Sequence, residues 1–387
     1  MACERVLHRR TAHSHRSTRA DSTSPGWHTS CPEIRFGPLH LALAMGEEPA
    51  QAARMSDEQW YADLVLEGGG VKGTALVGAI EALTAEGYAF PRVAGTSAGA
   101  IVGALTAADM PTSEMRTVLG ELDYRRFTDT GLLGRVPLLG PLVGILRHGG
   151  IYRGEELVTW LEALLAEHGV TTFGDLRVDD PGSDLPTYLR YRLVVVAADV
   201  SRGRLVRLPW DYQEHFGLDP DRQRVVDAVR ASMAIPFFFR AAKVRHHGTA
   251  GASTLVDGGL LSNFPVGLFD RTDGLRPRWP TFGVKLSERE PPGLAVTPVR
   301  GPLSLAASLV ATMRGAHDAR HLDDPGVQDR TMFVDTSGVS TLNFDLSREE
   351  AEELRTRGHG AATGFLAGWD HERYIAAHRP DVAEASG

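Results

Sequence analysis

A chain of 387 residues, 42% hydrophobic and 23% charged, has enough apolar side chains for a large core, in one big α/β domain or two smaller ones. Its formal charge of -8 argues against nucleic acid as a bulk partner, because phosphate binding needs a basic surface. The only cysteines, Cys3 and Cys31, cannot build a disulfide framework and fit a reducing compartment, and no run reaches the roughly 18 to 20 apolar residues that span a bilayer.

Residues 1–59 differ from everything that follows. Arg5, Arg9, Arg10, Arg16 and Arg19 stand among Ser, Thr and His with almost no acid. The pattern invites two signal readings, a transit peptide or a twin-arginine leader at Arg9-Arg10. No clean apolar stretch follows, because Leu39–Ala44 is short and interrupted by His40 after Pro38. The segment is therefore read as a disordered tail, or as a start placed too early, with Met45 or Met55 as the true beginning.

Ordered structure is expected from Trp60. Asp63–Glu67 predicts a buried strand, and Val71–Glu86 a helix with Leu76, Ile80 and Leu83 on one face and Gly87 ending it. Arg92–Ala94 predicts a second strand and Ala98–Ala108 a small-residue helix fit for close packing. Phe127–Gly150 breaks the pattern, since its apolar run Val136–Leu146 is punctuated by Pro and Gly. It reads as core packing, or as a lid or an interfacial loop that touches lipid. Helices are then expected over Glu155–His168, Arg222–Ser232, Leu303–Arg314 and Ser347–Trp369, the last with Ser347 and Glu350 as a capping box. Strands are expected over Arg192–Val200, Ser253–Asp257, Thr281–Leu286 and Thr331–Asp335. Repeated strand–turn–helix units predict a mainly parallel sheet covered by helices. One domain over 60–375 and a C-terminal tail over 376–387 complete the organisation.

Two glycine-dense turns carry the chemistry. Gly95-Thr96-Ser97-Ala98-Gly99 is a G-x-S-x-G between a strand and a helix, the pattern of a nucleophile elbow. Such a turn lifts the serine Oγ clear of the backbone, and the flanking glycines let a substrate approach. Gly68-Gly69-Gly70-Val71-Lys72-Gly73 supplies backbone N–H groups at a helix start, suited to the negative oxygen formed when an ester carbonyl is attacked. The same run matches the G-x-G-x-x-G dinucleotide fingerprint. The next strand, however, ends at Gly95-Thr96-Ser97 with no acid to hold a ribose, so that reading fails. The spacing is not that of a P-loop either.

A serine needs a base. Asp199 and Asp257 are carboxylates at strand ends; His246, His247, His317 and His321 are the downstream histidines. His246 and His247 fall in a Gly-rich loop, and His317 and His321 in a charged, solvated stretch. Asp257 stands apart, ending an apolar strand before Gly258 and Gly259. A turn aspartate of Asx type is the plainer reading of that residue.

These blocks, together with Ala231-Ser232-Met233-Ala234-Ile235-Pro236, resemble the patatin-like phospholipase family in order and separation, from about Asp63 to Trp369. The resemblance implies a three-layer α/β/α sandwich and hydrolysis of lipid acyl esters by a Ser–Asp dyad without histidine. Ser97 is then the nucleophile and Asp257 the base. Backbone amides of Gly68, Gly69 and Gly70 form the oxyanion hole, and Gly73, Gly95, Gly99, Gly258 and Gly259 support the motifs. The Ala231–Pro236 block would shape the wall of the site. Glu67 departs mildly from plant members, which commonly carry Asp there. No metal or other cofactor is expected, since Ser–Asp chemistry needs none. The expected partner is a lipid or phospholipid at a membrane or micelle surface, met by a cytoplasmic protein with peripheral membrane contact. Two other readings share features with this one. A Ser–His–Asp α/β-hydrolase would add a packed late histidine, and a non-catalytic lipid-binding regulator would have lost Ser97 or Asp257.

Overall fold

The computed structural model describes residues 59–127, 150–248, 250–286, 324–341 and 343–379, with Asp129, Val299, Ser308 and Thr312 singly. The tail before Gln59, the apolar run Val136–Leu146, most of the predicted helix Leu303–Arg314, and His317 and His321 lie outside the described residues.

The apolar runs form the strands β1 (Trp60–Tyr61), β2 (Asp63–Leu66), β3 (Tyr88–Ala89), β4 (Val93–Thr96), β5 (Gly150–Tyr152) and β6 (Leu193–Asp199). They continue as β7 (Arg204–Leu208), β8 (Phe237–Phe239), β9 (Ala242–Arg245), β10 (Ala252–Asp257), β11 (Thr281–Lys285) and β12 (Thr331–Phe333). The helices are α1 (Gly73–Ala85), α2 (Ala98–Ala107), α3 (Thr112–Gly120), α4 (Glu155–Glu167) and α5 (Val225–Ser232), then α6 (Pro325–Gln328), α7 (Arg348–Gly368) and α8 (His371–His378).

The main sheet runs β12-β11-β2-β4-β6-β10-β9, with β7 also paired to β6. From β12 to β6 every pairing is parallel; β10, β9 and β7 are antiparallel. Helices flank this sheet in three α/β/α layers, and β2, β4 and β11 are buried along their whole length. That is why they read as unbroken apolar runs rather than alternating ones. The antiparallel margin was not foreseen. β7 follows β6, and β10 follows β9, after connections too short for a parallel crossover, so each returns as a hairpin partner. The sequences of β7 and β9 hid them, because Arg204, Arg207, Lys243 and Arg245 interrupt the apolar pattern on half-exposed strands.

Ser347 and Glu350 do form a capping box: Glu350 N donates to Ser347 Oγ at 3.1 Å, and Ser347 N to Glu350 Oε2 at 2.8 Å. An aromatic set, Phe365, Trp369 and Tyr374, anchors α7 and α8 to Phe282 of β11. No helix among the described residues is long and apolar enough to cross a membrane.

α7 braces α1, the helix that opens from the Gly68–Gly70 turn. The two cross where neither has a side chain. A Cβ on Gly78 would lie 1.9 Å from the Arg355 carbonyl oxygen, and one on Gly358 would lie 1.9 Å from that of Ala75. The Arg355 guanidinium also bonds Glu81 of α1. Gly358→Ala should therefore push the helices apart and cost about 1–3 kcal/mol, as overpacking does. The check is the thermal midpoint. A midpoint equal to wild type would mean that the crossing has slack.

Candidate active site

β2 and β4 lie side by side, and both end at the same edge of the sheet. Beyond β2 the chain passes through Glu67, Gly68 and Gly69 into a 3-10 turn, Gly70–Lys72, and on into α1. Beyond β4 it reverses at Ser97, whose φ of 53° and ψ of -122° lie where residues with side chains rarely go. That strained geometry is the elbow predicted from the sequence. Ser97 caps α2, with its carbonyl accepting the Ala100 amide at 2.9 Å.

The glycines are space requirements. A Cβ on Gly95 would stand 2.1 Å from the Gly99 carbonyl oxygen, and one on Gly99 2.3 Å from that of Leu66. α2 thus starts hard against the end of β2. Gly68 faces the serine, since a Cβ there would come within 3.0 Å of Ser97 Cβ. Gly70 has a φ of 58°, and a Cβ on it would meet the Thr341 carbonyl at 2.1 Å. A Cβ on Gly73 would lie 3.6 Å from that of Ala98, an ordinary contact. The amide of Gly68 donates to the Asn263 carbonyl at 3.3 Å. Those of Gly69 and Gly70 have no acceptor among the described residues.

Asp257 comes to this place by strand pairing. β4 runs along β6 as far as Thr96 opposite Val196, and β10 runs the other way along β6 as far as Asp257 opposite Ala197. Because β7 occupies the other edge of β6 over Val195–Asp199, β4 and β10 share one edge and meet end to end. Ser97 and Asp257 follow from adjacent positions of one strand. Gly258 allows the meeting, since a Cβ on it would lie 2.4 Å from the Val196 carbonyl and 3.0 Å from Thr96 Cγ2. Asp257 Oδ1 accepts the Gly259 amide at 2.8 Å, as an Asx turn would have it. Both residues are buried, Ser97 at 2% exposure and Asp257 at 4%.

The Ala231–Pro236 block crosses the junction. Ser97 N donates to Ser232 Oγ at 2.8 Å, Ser97 Oγ lies 3.6 Å from Met233 Sδ, and Asp257 N donates to the Ala234 carbonyl at 2.9 Å. Phe237, next along, has a φ of 68° and an exposed ring.

Under the glycine turn lies a buried ion pair that sequence reading missed. Glu67 Oε1 accepts Lys285 Nζ at 2.6 Å and Asn263 Nδ2 at 3.1 Å, while Oε2 accepts the Leu286 amide. Asn263 Nδ2 also donates to the Gly68 carbonyl at 2.9 Å. The signal was present, because Lys285 interrupts the apolar run Thr281–Leu286 and a buried lysine requires an acceptor. Glu67, the departure from plant members, has the reach that this arrangement uses.

Among the described residues, the other candidates stand elsewhere. Asp199 accepts the Ser201 amide at 2.9 Å beyond the junction. His246 sits at the hairpin end of β10, bonded to Ser253 at 3.0 Å, and from Ala252 to Asp257 the strand spans about 17 Å. His247 lies beside it. No cluster of His, Cys, Asp and Glu suited to a metal ion occurs among the described residues.

Comparison with known proteins bears on this arrangement. The family model for patatin-like phospholipases matches residues 64–270. Protein YqhO of Bacillus subtilis (strain 168) is 36% identical over 313 residues, covering 80% of this chain and 100% of that protein. A cGAMP-activated phospholipase of Pseudomonas aeruginosa is 31% identical over 214 residues, 54% of this chain and 55% of that one, so this chain spans about half its length. Among solved structures, VipD from Legionella pneumophila aligns with 85% of this chain and 72% of its own, at 16% identity and a TM-score of 0.46. On the family match and the extent of the likeness to YqhO, the chain belongs to the patatin-like phospholipase family.

Proposed function

We propose that this chain hydrolyses lipid acyl esters, with Ser97 as nucleophile and Asp257 as its base. One observation carries the reading. The serine on the strained elbow and the aspartate after β10 follow from strand ends that abut on one edge of β6, beside a glycine turn with two uncommitted amides. Family membership supports a lipid substrate, presented at a membrane or micelle surface.

Ser97 Oγ attacks the acyl carbonyl as its proton passes to Asp257. The Gly69 and Gly70 amides receive the oxyanion, an effect typically worth about 3 kcal/mol per donor. Collapse of the tetrahedral intermediate expels the alcohol, which takes the proton from Asp257. Water then gives a proton to Asp257 and attacks the acyl-serine. Release of the fatty acid returns the proton to Ser97.

Ser97→Ala should abolish ester hydrolysis and labelling by a fluorophosphonate probe while leaving the circular dichroism spectrum unchanged. A labelled Ser97→Ala protein would overturn the nucleophile assignment. Gly69→Val should slow turnover on the order of 100-fold, because a Cβ there would lie 2.4 Å from Leu286 Cδ1 and shift the turn that carries the donor amides. Steady-state rates on a soluble short-chain ester measure this, and near-normal turnover would place the oxyanion donors elsewhere.

Dyad and triad separate on a different set of variants. An amide cannot accept the serine proton, so Asp257→Asn should fall to near background. His246→Ala, His317→Ala and His321→Ala should each stay within a few-fold of wild type. A folded but dead histidine variant, beside an active Asp257→Asn, would replace the dyad with a histidine base.

A further inference from the structure

The hydroxyl of Ser232 occupies a position in the sheet that backbone groups ordinarily fill. Val93, paired with Leu193, donates its amide to the Arg192 carbonyl at 2.7 Å. In a parallel ladder the bonded residues of a strand alternate. The bonded residues of β4 are then Val93, Gly95 and, if the strand continued, Ser97. The next rung would run from Ser97 N to the carbonyl of Val196.

That rung is not made directly. Ser97 N donates to Ser232 Oγ at 2.8 Å, and Ser232 Oγ donates to the Val196 carbonyl at 2.6 Å. A hydroxyl has one proton to give and lone pairs to receive with, so it can stand between an amide and a carbonyl and satisfy both. Ser232 is completely buried at the C-terminal end of α5, 135 residues from Ser97. The insertion lets β4 end without orphaning either group at the place where Ser97 leaves the extended conformation for a φ of 53°.

We propose that Ser232 is a positioning residue for the nucleophile, a hydroxyl wedge that holds the last rung between β4 and β6 open so that Ser97 stays on the elbow. The proposal rests on the reading of Ser97 as nucleophile. Without the hydroxyl, two outcomes are open to the backbone. The Ser97 amide and Val196 carbonyl remain buried and unpaired, or the rung closes and draws Ser97 toward extended φ, re-aiming its Oγ. Either way the serine loses its aim, and misplacement by about 1 Å can cost on the order of 100-fold in rate.

The test compares Ser232→Ala, Ser232→Cys and Ser232→Thr with wild type. Cysteine keeps the shape with a weak donor, and threonine keeps the hydroxyl. The readouts are the rate constant of fluorophosphonate labelling, with the labelled residue mapped by mass spectrometry, and kcat and KM on a soluble short-chain ester. Amide exchange over residues 95–99 is measured alongside. Ser232→Ala and Ser232→Cys should label Ser97 about 10- to 100-fold more slowly, with kcat reduced, KM within about two-fold and faster exchange at the elbow. Ser232→Thr should recover most of the rate. If the alanine variant does not fold, the cysteine and threonine variants decide between them. Ser97 labelled at the wild-type rate in the alanine or cysteine variant would overturn the proposal alone, as would a threonine variant as slow as cysteine. Wild-type protein labelled at another residue, or not at all, would overturn the Ser97 reading and the proposal with it.

Discussion

One edge of β6 serves two strands that run toward each other, and the rest of the site follows from that economy. β4 arrives from one direction and ends opposite Val196; β10 arrives from the other and ends opposite Ala197. Two residues that leave neighbouring strand ends need no long loop to meet. Their separation is set by hydrogen-bond register, which changes only in whole residues. A site built this way inherits the stiffness of the sheet. The antiparallel part of the sheet is thus what lets β10 end beside the elbow of a parallel unit.

Head-to-head strand ends also create a difficulty, because each leaves backbone groups without ladder partners in a buried place. Unpaired, such groups cost about 1–3 kcal/mol apiece. Here the Ala231–Pro236 segment supplies the partners, with Ser232 between Ser97 N and Val196 O and the Ala234 carbonyl on Asp257 N. The glycines answer the same crowding in another way. Gly95, Gly99 and Gly258 each stand where a methyl group would lie within 2.4 Å of a backbone oxygen. Hydroxyl and missing side chain are two solutions to one lack of room.

Much of this was legible in the sequence, and for identifiable reasons. The buried parallel strands showed because residues covered on both faces must be apolar, and the elbow because so tight a turn admits few residues beside its serine. The Ser347 cap is a local device and could be read locally. What could not be read depends on pairing between distant segments. Arg204–Leu208 and Ala242–Arg245 are short, and their Arg and Lys leave too few apolar residues in a row to announce a strand without its partner. Ser232 is one hydroxyl at the end of a helix until β6 is placed beside it. Lys285 signals that it needs an acceptor, but which one was hidden for the same reason, since Glu67, its partner and that of Asn263, lies about two hundred residues earlier.

The Glu67 cluster shows how a turn of glycines is kept in one conformation although glycine favours none. A buried ion pair is weak ground for stability, because desolvation offsets most of the attraction. Its geometry is the better explanation for its position. The donors to Glu67 come from different parts of the fold: Lys285 Nζ and Leu286 N from the end of β11, Asn263 Nδ2 from the chain after Asp257. Asn263 adds a second hold by bonding both the amide and the carbonyl of Gly68. On the far side, Lys72 Nζ donates to Thr336 Oγ1 at 3.0 Å, and that hydroxyl donates to the Leu286 carbonyl at 2.7 Å. The turn is therefore pinned at Glu67, Gly68 and Lys72 by groups outside it. Between those pins, Gly69 and Gly70 are left with amides that need not serve the fold. The same six residues past Asp257 that lead to Asn263 tie the end of β10 to the glycine turn. Displacing one end of that connection would move the other, so the two halves of the site keep their spacing through the covalent chain as well as through the sheet.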